Sequence, residues 1–560
     1  MTMQSQILRR VALSAALALC LGPLTEVSPV LAAPTVAAAD HDVNWGTQER
    51  HFPQNKQAES PMATNPTNGQ NSISGAEDFV QEPDCTIDPS TGGSVCYPGQ
   101  TINTIAAYTT TDGGTTWNKH ILDFSAIGKV ANADPSVAFG PKPNGSGGFT
   151  YATGARAYFS AMAFPLGNVS PYAEPIVAVT HSDDGGSTWS TPVIGTNMAN
   201  RRTQFDDKPS VWADNNPASP YFGNVYLVWA LITGVGSSHS TFFCSTCPIR
   251  ILVARSTDGG QTWSNAQTLS PSSDTGPNGY RELPFVRTDR DGRVVVIWEE
   301  HIGATKGQQS EVVAAVSTDG GQHFGLPMAV GPTFDMNPLP GSSFPNPNTP
   351  GMDIDQSSDT MYVAWADYHP VAGGPGHGVV TVMKSTDHGQ SWSSAGSIDA
   401  PGRSPFHPSL AVGRQGSAPA ASSSPGRVVV SFTALTDVST NTPPVGGATN
   451  FLLFVTASDD GGATWSAPIS PSGSGPSDPA AAAGFLNDFV SEFVGDYSSM
   501  SASPDSKTFF DSYSSTQEGA TCAAVAAYRT GTGPAPNIYA SCPPTFGNVD
   551  IHVAAINTSP

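Results

Sequence analysis

The chain has 560 residues with 46 Asp and Glu against 24 Lys and Arg, a formal net charge of −22, and only 12% charged residues. An acidic and sparsely charged surface excludes nucleic acid as a partner, since phosphate binding needs a basic face. Gly and Pro number 57 and 49, and their clusters separate short runs of Val, Ile, Thr, Phe, Tyr and Trp, which predicts an all-β chain of many short strands.

At the start, Arg9 and Arg10 precede an apolar run over residues 11–21, and small residues follow at Ala37-Ala38-Ala39. This predicts a secretory signal over residues 1–39, with a run too short to span a bilayer. Leu17-Ala18-Leu19-Cys20 also invites a lipoprotein reading, but bulky Leu19 stands where such signals want a small residue. The expectation is an exported, secreted or periplasmic monomer without a transmembrane segment. Residues 40–75 are polar and Pro-rich, and read as a flexible segment able to donate a strand.

Beyond Cys20 six cysteines remain, an even number in an exported chain, which predicts disulfides. Sequence neighbours give 85–96, 244–247 and 522–542. Cys244-Ser-Thr-Cys247 lacks the second ligand pair that a zinc site requires.

One motif recurs six times: Thr110-Thr-Asp112-Gly-Gly-Thr-Thr-Trp117, Ser182-Asp-Asp184-Gly-Gly-Ser-Thr-Trp189, Ser256-Thr-Asp258-Gly-Gly-Gln-Thr-Trp263, Ser317-Thr-Asp319-Gly-Gly-Gln-His-Phe324, Ser385-Thr-Asp387-His-Gly-Gln-Ser-Trp392 and Ser458-Asp-Asp460-Gly-Gly-Ala-Thr-Trp465. The closing aromatics lie 72, 74, 61, 68 and 73 residues apart, so each copy marks one structural unit. Gly permits positive φ at a reversal and Asp accepts N–H bonds across it, so the motif is first a folding device.

Around the box at Asp319 the strands are 285–289, 293–298, 311–317 and 328–330, a meander that makes one propeller blade. Equivalent first strands begin at Pro135, Pro209, Gly351 and Pro408, and second strands at 149–153, 225–230, 361–366 and 428–433. A seventh, boxless unit ends the chain without an outer strand, which residues after Asp40 could supply. The predicted fold is a single β-propeller over residues 76–560 with seven units, a six-bladed ring being the alternative.

The motif is the Asp-box, and on these six copies the chain resembles the bacterial sialidase-like (BNR-repeat) β-propeller family. The resemblance implies boxes on the face away from the ligand. Candidate residues then stand where first strands are entered: Asp134, Asp206, Asp207, Lys208, Arg281, Glu282, Arg403, His407, Asp496 and Tyr497. Others stand where second strands are left: Arg156, Glu299, Glu300, His301, Asp367, Tyr368, His369, Asp511 and Tyr513.

The resemblance further implies an exo-acting glycoside hydrolase removing terminal sialic acid or a related acidic sugar. Tyr497 would be the nucleophile, with Glu282 or Glu300 as its base and Asp134 or Asp207 as acid. Arg281, Arg403 and Arg156 or Arg529 would bind the substrate carboxylate, bordered by Lys208, Asp367 and Asp496. The family's Arg-Ile-Pro is replaced by Gln81-Glu82-Pro83. The alternative is a non-catalytic propeller that binds glycans or a surface protein, with Trp229, Trp298 and Trp365 at its mouth or in its core. A polysaccharide lyase using His301, His369 or His407 as base is a third reading. No cofactor is predicted. A structural calcium among loop carboxylates would suit an exported propeller, although no EF-hand series is present.

Overall fold

In the computed structural model of the chain, the runs rich in β-branched and aromatic residues pair into antiparallel meanders. The structure describes residues 35–43, 50–97, 102–166, 175–196, 204–233, 248–270, 281–301, 309–334, 339, 342–344, 346–369, 377–399, 403–413, 426–436, 450–471 and 473–559. The expected Cys244–Cys247 bridge and most of the expected signal fall outside these residues.

Seven blades form one propeller ring. The strands next to the axis are, in order, Met62–Thr64 with Gln57–Ala58, then Ser136–Pro143, Gln204–Ala213, Arg281–Thr288, Gly351–Asp355, Arg403–Val412 and Ser499–Ala502. The first of these come from the stretch expected to be flexible. The sixth sheet has three strands, and its edge is completed by the bridges Phe451↔Ser477 and Val455↔Ile469. Thr35–Asp42 closes the seventh blade by pairing along Asp550–Ser559. This outer strand begins ahead of Asp40, inside the stretch read as signal.

Each Asp-box closes the hairpin between a third strand and the blade edge. At Asp258 the carboxylate accepts the Thr262 N–H (2.9 Å) and its hydroxyl (2.5 Å), while the Ser256 hydroxyl accepts the Gly260 N–H (2.9 Å). Asp112 and Asp387 repeat this pattern, and bonds from the Thr116 and Ser391 hydroxyls and N–H groups hold both carboxyls at about 2. Trp229, Trp298 and Trp365, on the second strands of three successive blades, are fully buried and belong to the core. Burying such a ring contributes on the order of 4–6 kcal/mol of transfer free energy, before entropy is counted.

Ring closure carries a buried ion pair. His552 Nδ1 lies 2.8 Å from Asp40 Oδ2, and each side chain is 2% exposed. Burial opposes the imidazolium, but the Asp40 hydrogen bond and charge outweigh it and raise the His552 pKa above 6.5. A raised folded pKa gives stability that is complete below the unfolded value and is lost as pH rises through the folded one. The gap in melting temperature between wild type and His552→Gln is therefore expected to be widest near pH 5 and to narrow toward pH 9. A gap that widens with pH would refute this role.

The box face carries short hairpins, whereas the opposite face, where the inner strands are entered, carries the long connections. Over the seventh and first blades these connections form a cap. It contains the hairpin Thr86–Ile87/Ser94–Val95, the helices Ala523–Arg529 and Ile538–Ser541, and the disulfides Cys85–Cys96 and Cys522–Cys542. Both of these bridges match the sequence expectation. Buried Lys56 ties the cap to the first blade, donating to the carbonyls of Gly484 (2.7 Å) and Phe485 (2.9 Å) and to Asn487 (3.2 Å).

Candidate functional site

Inner strands are entered through a repeated device. A residue with positive φ stands at Asp134 (49°), Lys208 (48°), Leu283 (54°) and His407 (45°), each directly before proline, and at Glu59 (58°), two residues before Pro61. Left-handed backbone is unfavourable for residues with a Cβ, and proline restricts the preceding residue further. Register shifts at Asp207/Ser210, Glu282/Phe285 and Phe406/Ser409 show the strand bulging there. Pro61, Pro135, Pro209, Pro284, Pro350 and Pro408, with Tyr497 in the seventh blade, collar the axial channel. Strain repeated in five blades at one ring marks a place where side-chain position outweighs backbone comfort.

The residues so placed form a buried ionic cluster. Lys208 Nζ lies 2.9 Å from Asp134 Oδ1 and 3.3 Å from Glu59 Oε1, and it also bonds Asp496. Glu59 accepts the Asp134 N–H at 3.0 Å. Burial opposes the charge of Lys208, but Asp134, Asp496 and Glu59 outweigh it and raise its pKa well above the ordinary value. Burial, then the Asp134 charge, pushes Glu59 well above the carboxylate range and Glu77 to about 8. Burial and the Lys208 charge drop His407 to about 3, so its ring is neutral. The Tyr497 hydroxyl donates to the Pro135 carbonyl at 2.9 Å, and burial raises its pKa well above 10.

Below the collar the channel runs along the inner strands toward the box face, past Ser210, Ser409 and Ser499 to Arg287 and Asp353. The Arg287 guanidinium stacks on Trp212 (4.0 Å) and Phe285 (4.1 Å) and faces Asp353 at 3.6 Å. About 90 Å³ is open to water there, room for a short file of waters and too little for a sugar chain.

A second constellation lies on the entry face of the fourth blade. Arg281, Glu300 and Glu311 are directly opposite one another on the strands Arg281–Thr288, Val294–His301 and Gln309–Ser317. Arg281 is wholly buried, donating to Glu300 (2.8 Å) and to the Ile249 carbonyl (3.1 Å), and Trp298 Nε1 donates to Glu300 at 3.3 Å. Partial burial, then the charge of Glu300, raises the Glu311 pKa. Two carboxyl groups directly opposed on one sheet face repel, so the fold gains nothing from this pairing.

The other sequence candidates scatter. Arg156 is midway along a strand longer than expected, Phe149–Pro165, level with the Asp-box residue Ser182, and so lies toward the box face, paired with Asp183 (2.6 Å). Arg403 stacks on Phe454 (4.1 Å), and Arg529 pairs with Glu492 (3.2 Å) under the cap. Asp367 accepts the Phe334 N–H (2.9 Å) and the Thr381 hydroxyl (3.2 Å). Asp206 accepts from Trp229 Nε1 (3.1 Å), and Asp207 accepts the Lys208 N–H (3.1 Å). Glu282 stands opposite Glu299 in register, and its side chain, like those of His301 and His369, lies outside the description. The structure thus brings together Asp134, Lys208, Asp496 and Tyr497 at the axis and Arg281 with Glu300 at the rim.

No protein-family model matches the sequence, and no curated protein matches it. Among solved structures, the chain is similar to a Hadza microbial sialidase, at 17% identity over 75% of this chain and 73% of that one, with a TM-score of 0.41. It is also similar to the intramolecular trans-sialidase of Ruminococcus gnavus (13%, 69% and 91%, 0.38) and to an α-L-arabinofuranosidase of Fusarium graminearum (13%, 75% and 92%, 0.40). The likeness is one of fold.

Sequence reasoning missed Glu59, Glu77 and Glu311. Glu59-Ser60-Pro61 follows the Asp134-Pro135 and Lys208-Pro209 pattern with one residue inserted, a signal that was readable. Glu311 gave none, because its partner is set by strand register.

Among the described residues, Asp291, Asp359 and His388 come close enough to hold a metal. Arg290 pairs with Asp359 (2.8 Å) and Arg293 with Asp291 (2.9 Å), and Arg293 also meets His388 (3.0 Å). Two guanidinium groups already neutralise this trio, which makes it a junction between blades rather than a cation site.

Proposed function

We propose that the chain is an exported glycoside hydrolase that works through Glu300 and Glu311 on the entry face of the fourth blade. The observation that carries this reading is the direct cross-strand opposition of the two carboxyl groups, one ion-paired with buried Arg281 and the other with a raised pKa. Opposed residues have Cβ atoms roughly 4.5–5.5 Å apart, so rotation about the two side chains can bring the carboxyl groups to the separation of about 5–5.5 Å found in retaining glycosidases. Glu311 would protonate the leaving oxygen while Glu300 takes the anomeric carbon. Water, deprotonated by Glu311, would then release the sugar and restore both groups. Arg281 is fully buried and bonded to Glu300, so its role is to position that carboxylate.

Acidic sugars, with sialic acid first, remain one substrate arm. In that version Tyr497 is the nucleophile, although its hydroxyl is engaged by Pro135. The test is turnover of methylumbelliferyl glycosides of neutral pyranoses, neutral furanoses and sialic acid between pH 4 and 8. Turnover of a neutral glycoside, lost in Glu300→Gln and Glu311→Gln, is the expected result, whereas sialoside turnover lost only in Tyr497→Phe would favour the acidic-sugar arm. No turnover of any of them, and no reducing ends released from polysaccharides, would leave a glycan-binding propeller without catalysis.

A further inference from the structure

We infer that a groove in the disulfide-clipped cap, between Tyr539 and Asp84, binds a neutral sugar residue of a glycan. The groove holds about 430 Å³, a size that suits one or two sugar rings. Its floor is apolar, made by Phe52, Ile538, Pro543, Pro544 and Phe546. Tyr539 is 42% exposed, yet its ring cannot turn freely. Its hydroxyl accepts the Cys85 N–H (2.7 Å) and donates to the Phe52 carbonyl (3.3 Å), and the His51 ring abuts it edge-on at 5.1 Å. The Cys85–Cys96 and Cys522–Cys542 bridges hold both walls, so little freedom is lost when a ligand settles.

Hydrogen-bond chemistry at the edge selects the ligand. Asp84, 60% exposed, already holds His51 Nε2 (3.1 Å) and Gln54 Nε2 (3.0 Å) on one carboxylate oxygen. These two donors are thus engaged on Oδ1, and the second Asp84 oxygen offers a ligand an acceptor. Sugar hydroxyls are donors, and the C–H face of a sugar ring covers an aromatic surface. A polyproline segment would instead bring carbonyl acceptors, which need donors from the groove. An anionic sugar would meet the Asp84 carboxylate on a chain of net charge −22. The groove lies over the junction of the seventh and first blades, across the ring from Glu300 and Glu311 on the fourth blade. Sugar binding there is independent of the proposed hydrolase reading.

The test is saturation-transfer NMR on the full chain, using methyl glycosides of neutral hexoses and pentoses, the methyl glycoside of N-acetylneuraminic acid, and hexaproline. Saturable binding of a neutral glycoside is expected, weakened about tenfold or more in Tyr539→Ala and in Asp84→Ala. Because Asp84 is exposed, its variant stays folded even if removal of the Tyr539 ring loosens the cap. Lys507→Ala, exposed on the box-face hairpin of the seventh blade, is expected to bind as wild type does. Unchanged binding in both groove variants, or binding only of hexaproline or of the acidic glycoside, would overturn the inference while leaving the hydrolase reading standing. Groove-dependent binding without any glycoside turnover would do the reverse.

Discussion

Changing Glu311 to Gln is expected to slow glycoside hydrolysis by about 10²–10⁴-fold, the usual contribution of a positioned acid. The amide keeps the size of the side chain and removes the like-charge contact with Glu300, so the fold should lose nothing. The loss depends on the leaving group: dinitrophenyl glycosides, which depart without a proton, should retain most of their first-step rate. The pH profile gives a further check. An acid must enter the reaction protonated, and the Glu311 pKa is raised, so wild-type activity should fall on the alkaline side, a limb that the variant lacks. Glu300→Gln should lose activity with every leaving group, and azide should restore part of it by replacing the missing nucleophile. Glu311→Gln turnover equal to wild type with a poor leaving group would remove this residue from the chemistry.

The second large effect concerns the axis. Lys208→Met is expected to destabilise the propeller by about 3–5 kcal/mol, the scale for removing one partner from a buried ion network. Lys208 is 12% exposed on its side chain and joins Glu59, Asp134 and Asp496, which come from the first, second and seventh blades. Without the ammonium these carboxyls repel, and the folded pKa values of Glu59 and Asp496, already raised by burial, rise further above the unfolded ones. The folded state then holds protons that the unfolded state releases, so the stability of the variant falls as pH rises. Urea midpoints at pH 4.5 and 8 should show a small deficit at the lower pH and the full deficit at the higher. Adding Glu59→Gln should return part of the loss. A uniform deficit at both pH values would mean that packing, not charge, is what Lys208 supplies.

In this cluster Lys208 does what a bound cation would do among three carboxylates, with the charge covalently tethered to the third blade. That accounts for the left-handed backbone there. The left-handed backbone at Asp134-Pro135, Lys208-Pro209 and His407-Pro408, with a bulge at the latter two, turns these residues toward the axis while the prolines line the channel.

Much of this was readable along the chain. Six Asp-boxes at near-constant spacing specify six hairpins, because Gly at positive φ is followed, four residues beyond the Asp, by a side chain that bonds its carboxylate, a hydroxyl in five boxes and His323 in the box at Asp319. The second-strand position of Trp229, Trp298 and Trp365 was readable, though not whether they face mouth or core, and two cysteine pairs were readable through proximity. These features are local: each depends on residues within a few positions of one another, so composition and spacing suffice to specify them.

The sites are a different matter. Glu59 was passed over because its surroundings are polar and Pro-rich, and nothing nearby announces that its partners are Asp134 and Lys208, 75 and 149 residues away. Arg156 was assigned to the wrong face because its strand runs through to Pro165, and pairing with neighbouring strands, not propensity, determines where a strand ends. Glu311 meets Glu300 through register alone. The number of blades, the strand Thr35–Asp42 that closes the ring, and the convergence of five strained residues on one axis were all decided by tertiary structure. Ring closure makes neighbours of residues at opposite ends of the chain, as with Thr35 and Ser559, and no local pattern encodes that meeting.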